Sequence, residues 1–263
     1  MLKVVQHQFK VLQSVVATLM EGGRGVSGTP FPQQPAKALK LYEFEGCPFC
    51  RRVREVVTLL NLDVEIYPCP KGGQKYRQVV QEKGGKQQFP FLIDENTGDQ
   101  LYESQQIIDH LFKYYGKTGQ TPAKFRHFSK LPYYASTLAT VANAGRGIWI
   151  NKKVVNRPVP AHLLELWSFE ASPYTRLVRE VLSELELPYI LHNVPKERWQ
   201  DMGPAVLRLK PGQYIPLPNG KREKVVEVMG RDIQVPYLVD PNTGVKMFES
   251  AKIVDYLKKQ YAS

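Results

Sequence analysis

No uncharged apolar stretch in this 263-residue sequence approaches the roughly 20 residues that a bilayer-spanning helix needs, which excludes a helical membrane span. Cysteine is scarce and odd in number. Three residues make no disulfide scaffold, and two of them, Cys47 and Cys50, stand three apart, as in a reactive or metal-binding pair of a reducing compartment. Histidine is sparse too: His7, His110, His127, His162 and His192 are scattered and no second CxxC exists, so the four ligands of a zinc site are not brought together. Acids are in deficit, with 25 Asp and Glu against 36 Lys and Arg. The net charge of +11, with a pI near 9.4, points to an anionic partner: nucleic acid, a membrane surface or small acids. Nucleic acid is set aside, because the sequence has no RNP motif, zinc finger or helix-turn-helix pattern and its basic residues are dispersed.

What remains is the composition of an ordinary globular chain, 43% hydrophobic and 23% charged, which excludes disorder, a collagen repeat and a coiled coil. Its length favours two medium domains. A repeat gives that division substance. Residues 40–73 align without gaps on 165–198 at an offset of 125, with 13 of 34 positions identical. Residues 89–116 align on 235–262 at an offset of 146, with 13 of 28 identical. The offsets differ by 146 − 125 = 21, so the second copy carries a 21-residue insertion within 199–234, around Pro218, Asn219 and Gly220. A weaker echo precedes both copies: Ser14, Ala17, Thr18, Gly23, Arg24 and Gly25 recur at an offset of 122 as Ser136, Ala139, Thr140, Gly145, Arg146 and Gly147.

The echo decides how the N-terminus is read. Residues 1–20 contain no acid and carry a helical stripe through Leu2, Val5, Phe9, Leu12, Val16 and Leu19, which alone would suit an organellar address. A cleaved address would not recur in mid-chain, so residues 2–21 are expected to form a structural helix closed by glycine, with any transit peptide upstream of the sequence. The division is then 1–117 and 118–263, each a helix followed by one copy, the second helix falling around Leu131–Asn143.

Within the first copy, residues 38–44 predict a strand, Val53, Val56, Val57 and Leu60 the buried face of a helix, and Val64–Tyr67 a second strand. A polar helix follows over Lys75–Gln81, then a short strand at Phe91–Ile93, a turn at Asn96-Thr97-Gly98 and a returning strand at Leu101-Tyr102. Ser104 is read as the N-cap of an amphipathic helix through Ile107, Ile108, Leu111 and Tyr115. The second copy keeps the first helix's face as Val178, Val181, Leu182 and Leu185. The order β-α-β-α-β-β-α is a thioredoxin-like arrangement, an α/β fold present twice in tandem.

Cys47-Pro48-Phe49-Cys50 falls where a strand ends and a helix begins. Backbone N–H groups and the helix dipole stabilise a thiolate there, and Arg51 and Arg52 are expected to add positive charge. Cys50, one turn on, is placed to attack a mixed disulfide formed at Cys47. Half of a zinc site, or two packed thiols, are the plainer alternatives. Cys69, after the second strand, is a loop thiol or a site of glutathionylation.

With Phe89-Pro90 opening a strand and Glu103-Ser104 at a helix start, this pattern resembles the glutaredoxin and glutathione-transferase N-terminal branch of the thioredoxin-like superfamily. The whole chain is similar to proteins with two tandem transferase N-terminal domains in cyanobacteria and plastid-bearing eukaryotes. The resemblance implies a cis Pro90 facing Cys47, Phe89 pairing with the backbone of glutathione, and Glu103 with Ser104 taking its γ-glutamyl end; Phe49 and Arg51 join that binding set. It implies a glutathione-linked thiol-disulfide oxidoreductase acting on disulfides or glutathionylated thiols in the chloroplast stroma or a cyanobacterial cytoplasm, as a pseudo-dimeric monomer or a homodimer. A non-catalytic module holding glutathione, a protein or an iron–sulfur cluster, and a conjugating transferase, are the alternatives; the cluster is the less favoured, and no resident metal is expected. In the second copy Ser172 and Thr175 replace both thiols, yet Val235-Pro236 and Glu249-Ser250 are retained. That half is either structural or a second glutathione site built on Ser172, Val235, Pro236, Glu249 and Ser250, since the recurrence of Pro90 and Ser104 there serves the fold as well as a ligand.

Overall fold

The computed structural model describes residues 2–20 (side chains from 5 to 19), 22–126, 145–202, 214–230 and 232–262. A leading helix, α1 (Leu2–Met20), precedes the first copy: β1 (Leu39–Glu43), α2 (Pro48–Leu59), β2 (Val64–Pro68), α3 (Lys75–Gly84), β3 (Phe91–Asp94), β4 (Asp99–Leu101) and α4 (Ser104–Tyr115). The second copy repeats the order as β5 (Leu164–Ser168), α5 (Pro173–Glu184), β6 (Tyr189–Asn193), α6 (Lys221–Met229), β7 (Tyr237–Asp240), β8 (Val245–Phe248) and α7 (Ser250–Tyr261). The helix expected around Leu131–Asn143 lies outside the described residues. Glycine closes α1 as expected: the N–H groups of Gly22 and Gly23 return to the carbonyls of Leu19 and Thr18, with φ of 65° and 67°.

All eight strands join one sheet in the order β4-β3-β1-β2-β6-β5-β7-β8. β1 and β5 sit centrally in their copies, each parallel to the strand after it and antiparallel to the hairpin strand. The copies meet where β2 runs antiparallel to β6, pairing Val64 with Leu191, Glu65 with Ile190 and Ile66 with Tyr189. Glu65 and Ile190 are equivalent positions of the repeat, so a pseudo-twofold axis passes through that pair.

Alternation along the strands divides the core. Leu39, Leu41, Leu92, Leu164, Leu166 and Leu238 face one side and pack with Val53, Val57, Ile107, Val178, Leu182 and Ile253, so α2, α4, α5 and α7 cover that side. Tyr42, Phe91 and Ile93 face the other side, under Tyr76 and Val80 of α3, and Trp167 and Tyr237 lie under Val225 and Met229 of α6.

The axis also organises an exchange between the copies. Ser27 and Trp149, equivalent at the offset of 122, each bridge to the loop after the second strand of the opposite copy, at Lys196 and Lys71. Gly25 and Gly147, both at φ 77°, pass so close that a β-carbon on either would lie 2.7 Å from Glu170 Cβ or 2.8 Å from Glu45 Cβ. Beneath them is a buried charge cluster. Arg54 on α2 donates through Nε to Glu170 at 2.9 Å, and its equivalent Arg179 on α5 donates through Nε to Glu45 at 3.0 Å. Arg54 also meets Glu43. Burial pushes Glu43 up to about 7, because the neighbouring charges of Glu45 and Glu170 add to it and Arg54 offsets only part. Burial acts on Glu170 too, but Arg179 and Arg54 outweigh it and draw the carboxyl down to about 2.

Each hairpin is anchored by a buried aspartate. Asp94 accepts from Tyr115 Oη at 2.6 Å and from Asn96 N at 2.8 Å, with His110 Nε2 2.8 Å away; Asp240 accepts from Tyr256 Oη at 2.6 Å, Tyr261 Oη at 2.5 Å and Asn242 N at 2.9 Å. Burial opposes ionisation at both, yet these donors hold both carboxyls below their ordinary value. A depressed folded-state pKa gives stability that is full above the ordinary aspartate pKa of about 3.9 and is lost as pH falls through the lower folded value. Acid unfolding followed by tryptophan fluorescence is therefore expected to be less steep below about pH 4 in the Asp94→Asn, Asp240→Asn double variant. An unchanged acid limb would exclude the aspartates as its source.

Candidate functional site

Cys47 is the N-cap of α2, with extended backbone at φ −80° and ψ 119°, and Pro48 opens the helix. Its Sγ accepts from Cys50 N at 3.3 Å. Burial works against a thiolate at Cys47, but hydrogen bonds from the Cys50 thiol and from the Cys50 and Phe49 amides outweigh it, leaving the group below the ordinary cysteine value. Cys50 moves the opposite way. Burial raises it, as do its hydrogen bond to Cys47 and the Cys47 charge. Both thiols are free and lie within contact of one another, and Cys47 is only 4% exposed. The cover over this loop includes Ile148: a β-carbon on Gly46 would lie 2.2 Å from its Cγ1, so the turn before Cys47 needs glycine.

The two arginines expected to assist the thiolate are directed elsewhere. Arg51 is buried with its Nε 3.6 Å from Glu170 of the second copy, and Arg52 donates to Gln105 Oε1 at 3.2 Å. Arg51 is turned toward Glu170 in the loop before α5 and Arg52 toward α4; the hydrogen bonds from the Cys50 thiol and the Cys50 and Phe49 amides, and not the guanidinium groups, favour ionisation of Cys47. Cys69 is fully buried, its thiol donating to the Tyr67 carbonyl at 3.4 Å, and burial holds it well above the ordinary value. It is a packed thiol and presents no surface for glutathionylation.

The Phe89–Pro90 peptide bond is cis. Phe89 meets the Phe44 ring edge-on at 6.2 Å between centroids and carries the Arg77 guanidinium 4.7 Å above its own ring. Glu103, and not Ser104, is the N-cap of α4, with φ 61° and ψ 116° and no side-chain capping bond. That positive φ turns the chain sharply into the helix, which makes Ser104 its first residue and sends the Glu103 carboxylate to Gln88 Nε2. Sequence reasoning missed Gln88, Arg77 and Glu43. Gln88 is adjacent to the Phe89-Pro90 motif; Glu43 is one of several positions where the copies differ in chemistry, being Ser168 in the other copy.

The second copy keeps the same frame. Val235–Pro236 is cis, Glu249 caps α7 at φ 72°, and Ser172 caps α5 by accepting from Thr175 N at 3.3 Å. Its hydroxyl lies 2.9 Å from Thr175 Oγ1. Here α1 intervenes. His7 Nε2 is 2.9 Å from Ser250 Oγ, Thr18 Oγ1 donates to the Ala171 carbonyl at 3.2 Å, and Arg176 reaches the Ser14 carbonyl at 3.4 Å. Among the described residues no group of three or more His, Cys, Asp or Glu is arranged to hold a metal ion, and no helix is long and apolar enough to cross a membrane.

Residues 41–119 and 166–263 each match the family described as glutathione S-transferase, N-terminal domain. Among solved structures, a chain of the Leishmania protein TDR1, described as a unique trimeric glutathione transferase, is 16% identical with a TM-score of 0.27, the match covering 86% of this chain and 67% of that one. No curated protein sequence matches.

Proposed function

From a chain that belongs, through both of its copies, to the glutathione S-transferase N-terminal domain family, we propose a glutathione-linked thiol-disulfide oxidoreductase whose chemistry resides in the first copy. The observation that carries the reading is the split between the two thiols: one at a helix N-terminus, favoured as thiolate, and one a turn inside it, held as thiol. Cys47 thiolate attacks one sulfur of a disulfide or of a glutathionylated thiol, forming a mixed disulfide and releasing the other sulfur as thiolate, which takes a proton. Cys50 then gives up its proton and attacks the Cys47 sulfur, releasing the second thiol and leaving a Cys47–Cys50 disulfide. Two glutathione molecules restore the dithiol and leave as glutathione disulfide. In this proposal Phe89 and the cis Pro90 pair with the backbone of glutathione, Glu103 and Ser104 hold its γ-glutamyl end, and Phe49 lines the approach. Arg51 is left out of that set by its contact with Glu170. A reducing compartment, stroma or cyanobacterial cytoplasm, goes with this assignment.

The test is a trapping experiment with glutathione disulfide. The Cys50→Ser variant is expected to accumulate one glutathione on Cys47, seen by intact mass and peptide mapping, whereas the unmutated protein passes on to the internal disulfide. Absence of an adduct on Cys47, with a thioether formed instead from glutathione and an added aryl halide, would replace this reading with a conjugating transferase.

A further inference from the structure

The second copy has every backbone feature of a ligand site except room for the ligand. The cis Val235–Pro236 bond, the positive φ of Glu249 and the hydroxyl of Ser250 at the start of α7 reproduce the first copy's frame, yet the hydroxyl is engaged by His7 at 2.9 Å. At the other end, Thr18 holds the carbonyl of Ala171, the residue before Ser172. His7, Val11, Ser14 and Thr18 are spaced four, three and four residues apart, one face of one helix, and Val11, Ser14 and Ala17 are buried against α5. Eleven residue steps of α-helix from His7 to Thr18 span about 16 Å. A tripeptide reaches about 11 Å fully extended, so the helix runs the full length of the cleft that glutathione would occupy. Burial keeps the His7 imidazole below its ordinary value, so it meets Ser250 as a neutral hydrogen-bonding partner.

We infer that α1 is the resident occupant of the second copy's ligand cleft: the chain binds a single γ-glutamyl thiol, in the first copy, and a second site of the same ligand class opens only when α1 leaves α5. The inference rests on the proposed reading for the class of ligand and for the first copy as its site. A ligand competing for this cleft has to displace a packed helix, which lowers its apparent affinity by the fraction of molecules with the helix undocked. The occupant belongs by repeat order to the first copy, so the two halves are joined by more than their shared sheet.

S-methylglutathione, which cannot enter disulfide exchange, separates the outcomes. Calorimetric titration of the full chain is expected to give one site, and hydrogen exchange to slow at residues 103–106 and not at 249–252. Val11→Asp places a charge in the α1–α5 contact and is expected to add a second site, which Ser250→Ala in that background then removes. Ser250→Ala alone is expected to leave the titration unchanged. Two sites in the unmutated chain, or slowed exchange at 249–252, would overturn the inference, as would a folded Val11→Asp protein that still shows one site. Should Val11→Asp fail to fold, the exchange pattern of the unmutated chain decides. No slowing at 103–106, with a site gained in Val11→Asp, would remove the proposed ligand from the first copy and uphold the closed cleft in the second.

Discussion

The Cys47→Ser variant is expected to lose disulfide reduction with glutathione by about 10³-fold or more, with its melting temperature unchanged. The second copy shows why the fold tolerates the change. Ser172 occupies the equivalent N-cap and accepts from Thr175 N at 3.3 Å, the same bond at the same length that Cys47 Sγ accepts from Cys50 N. The capping bond survives the substitution, so the helix start keeps its stabilisation. Ionisation does not survive, because a hydroxyl remains protonated at neutral pH and oxygen does not exchange with disulfides. Turnover measured with a glutathione mixed disulfide as substrate checks the expectation. Rates retained within a few fold of the unmutated protein would remove Cys47 from the chemistry.

The second large effect concerns stability. Glu170→Ala is expected to destabilise the chain by about 3–5 kcal/mol, since it leaves three buried guanidinium groups, those of Arg51, Arg54 and Arg179, short of a carboxylate. At about 2–4 °C per kcal/mol for a chain of this size, the melting temperature falls by roughly 10 °C. Lys252→Ala, which breaks an exposed pair with Glu249, serves as the contrast and is expected to change nothing measurable. Because Arg54 and Arg179 share Glu170, the loss in an Arg54→Met, Glu170→Ala double variant should be well below the sum of the single losses. Additive losses would mean that the cluster is not one unit. The position also tests the joint between copies, as Glu170 lies in the second copy and Arg54 in the first.

Much of this was legible from residues. The repeat gave the element order, and the apolar spacing of Val53, Val56, Val57 and Leu60 gave the buried face of α2, because helix periodicity is a local property. Three features were not local and so stayed hidden. Arg51 reads as a free charge beside a thiol, and only the opposed copy supplies the Glu170 that claims it. Ser104 reads as an N-cap by residue type, whereas the φ of Glu103 shifts the helix start by one residue. The N-terminal helix reads as part of the first copy, and nothing in its sequence says that His7 docks on Ser250, 243 residues away. The helical apolar stripe Val5, Phe9, Leu12, Val16 and Leu19 is exposed, and the face carrying His7, Val11, Ser14 and Ala17 packs inward. Small and polar residues allow a close approach to α5 that the larger apolar residues would not.

The pairing of β2 with β6 has a consequence for how such a chain assembles. A lone copy would present β2 as an open edge, with unpaired N–H and C=O groups along it. Two identical copies would close that edge about a true twofold, which would make the single unit an obligate dimer whose formation depends on concentration. In one chain the partner is always present, at an effective concentration on the order of millimolar, and the edges left over are the short β4 and β8. Symmetry then no longer binds the halves to one sequence. One half keeps the dithiol, and the other, relieved of it, receives a helix.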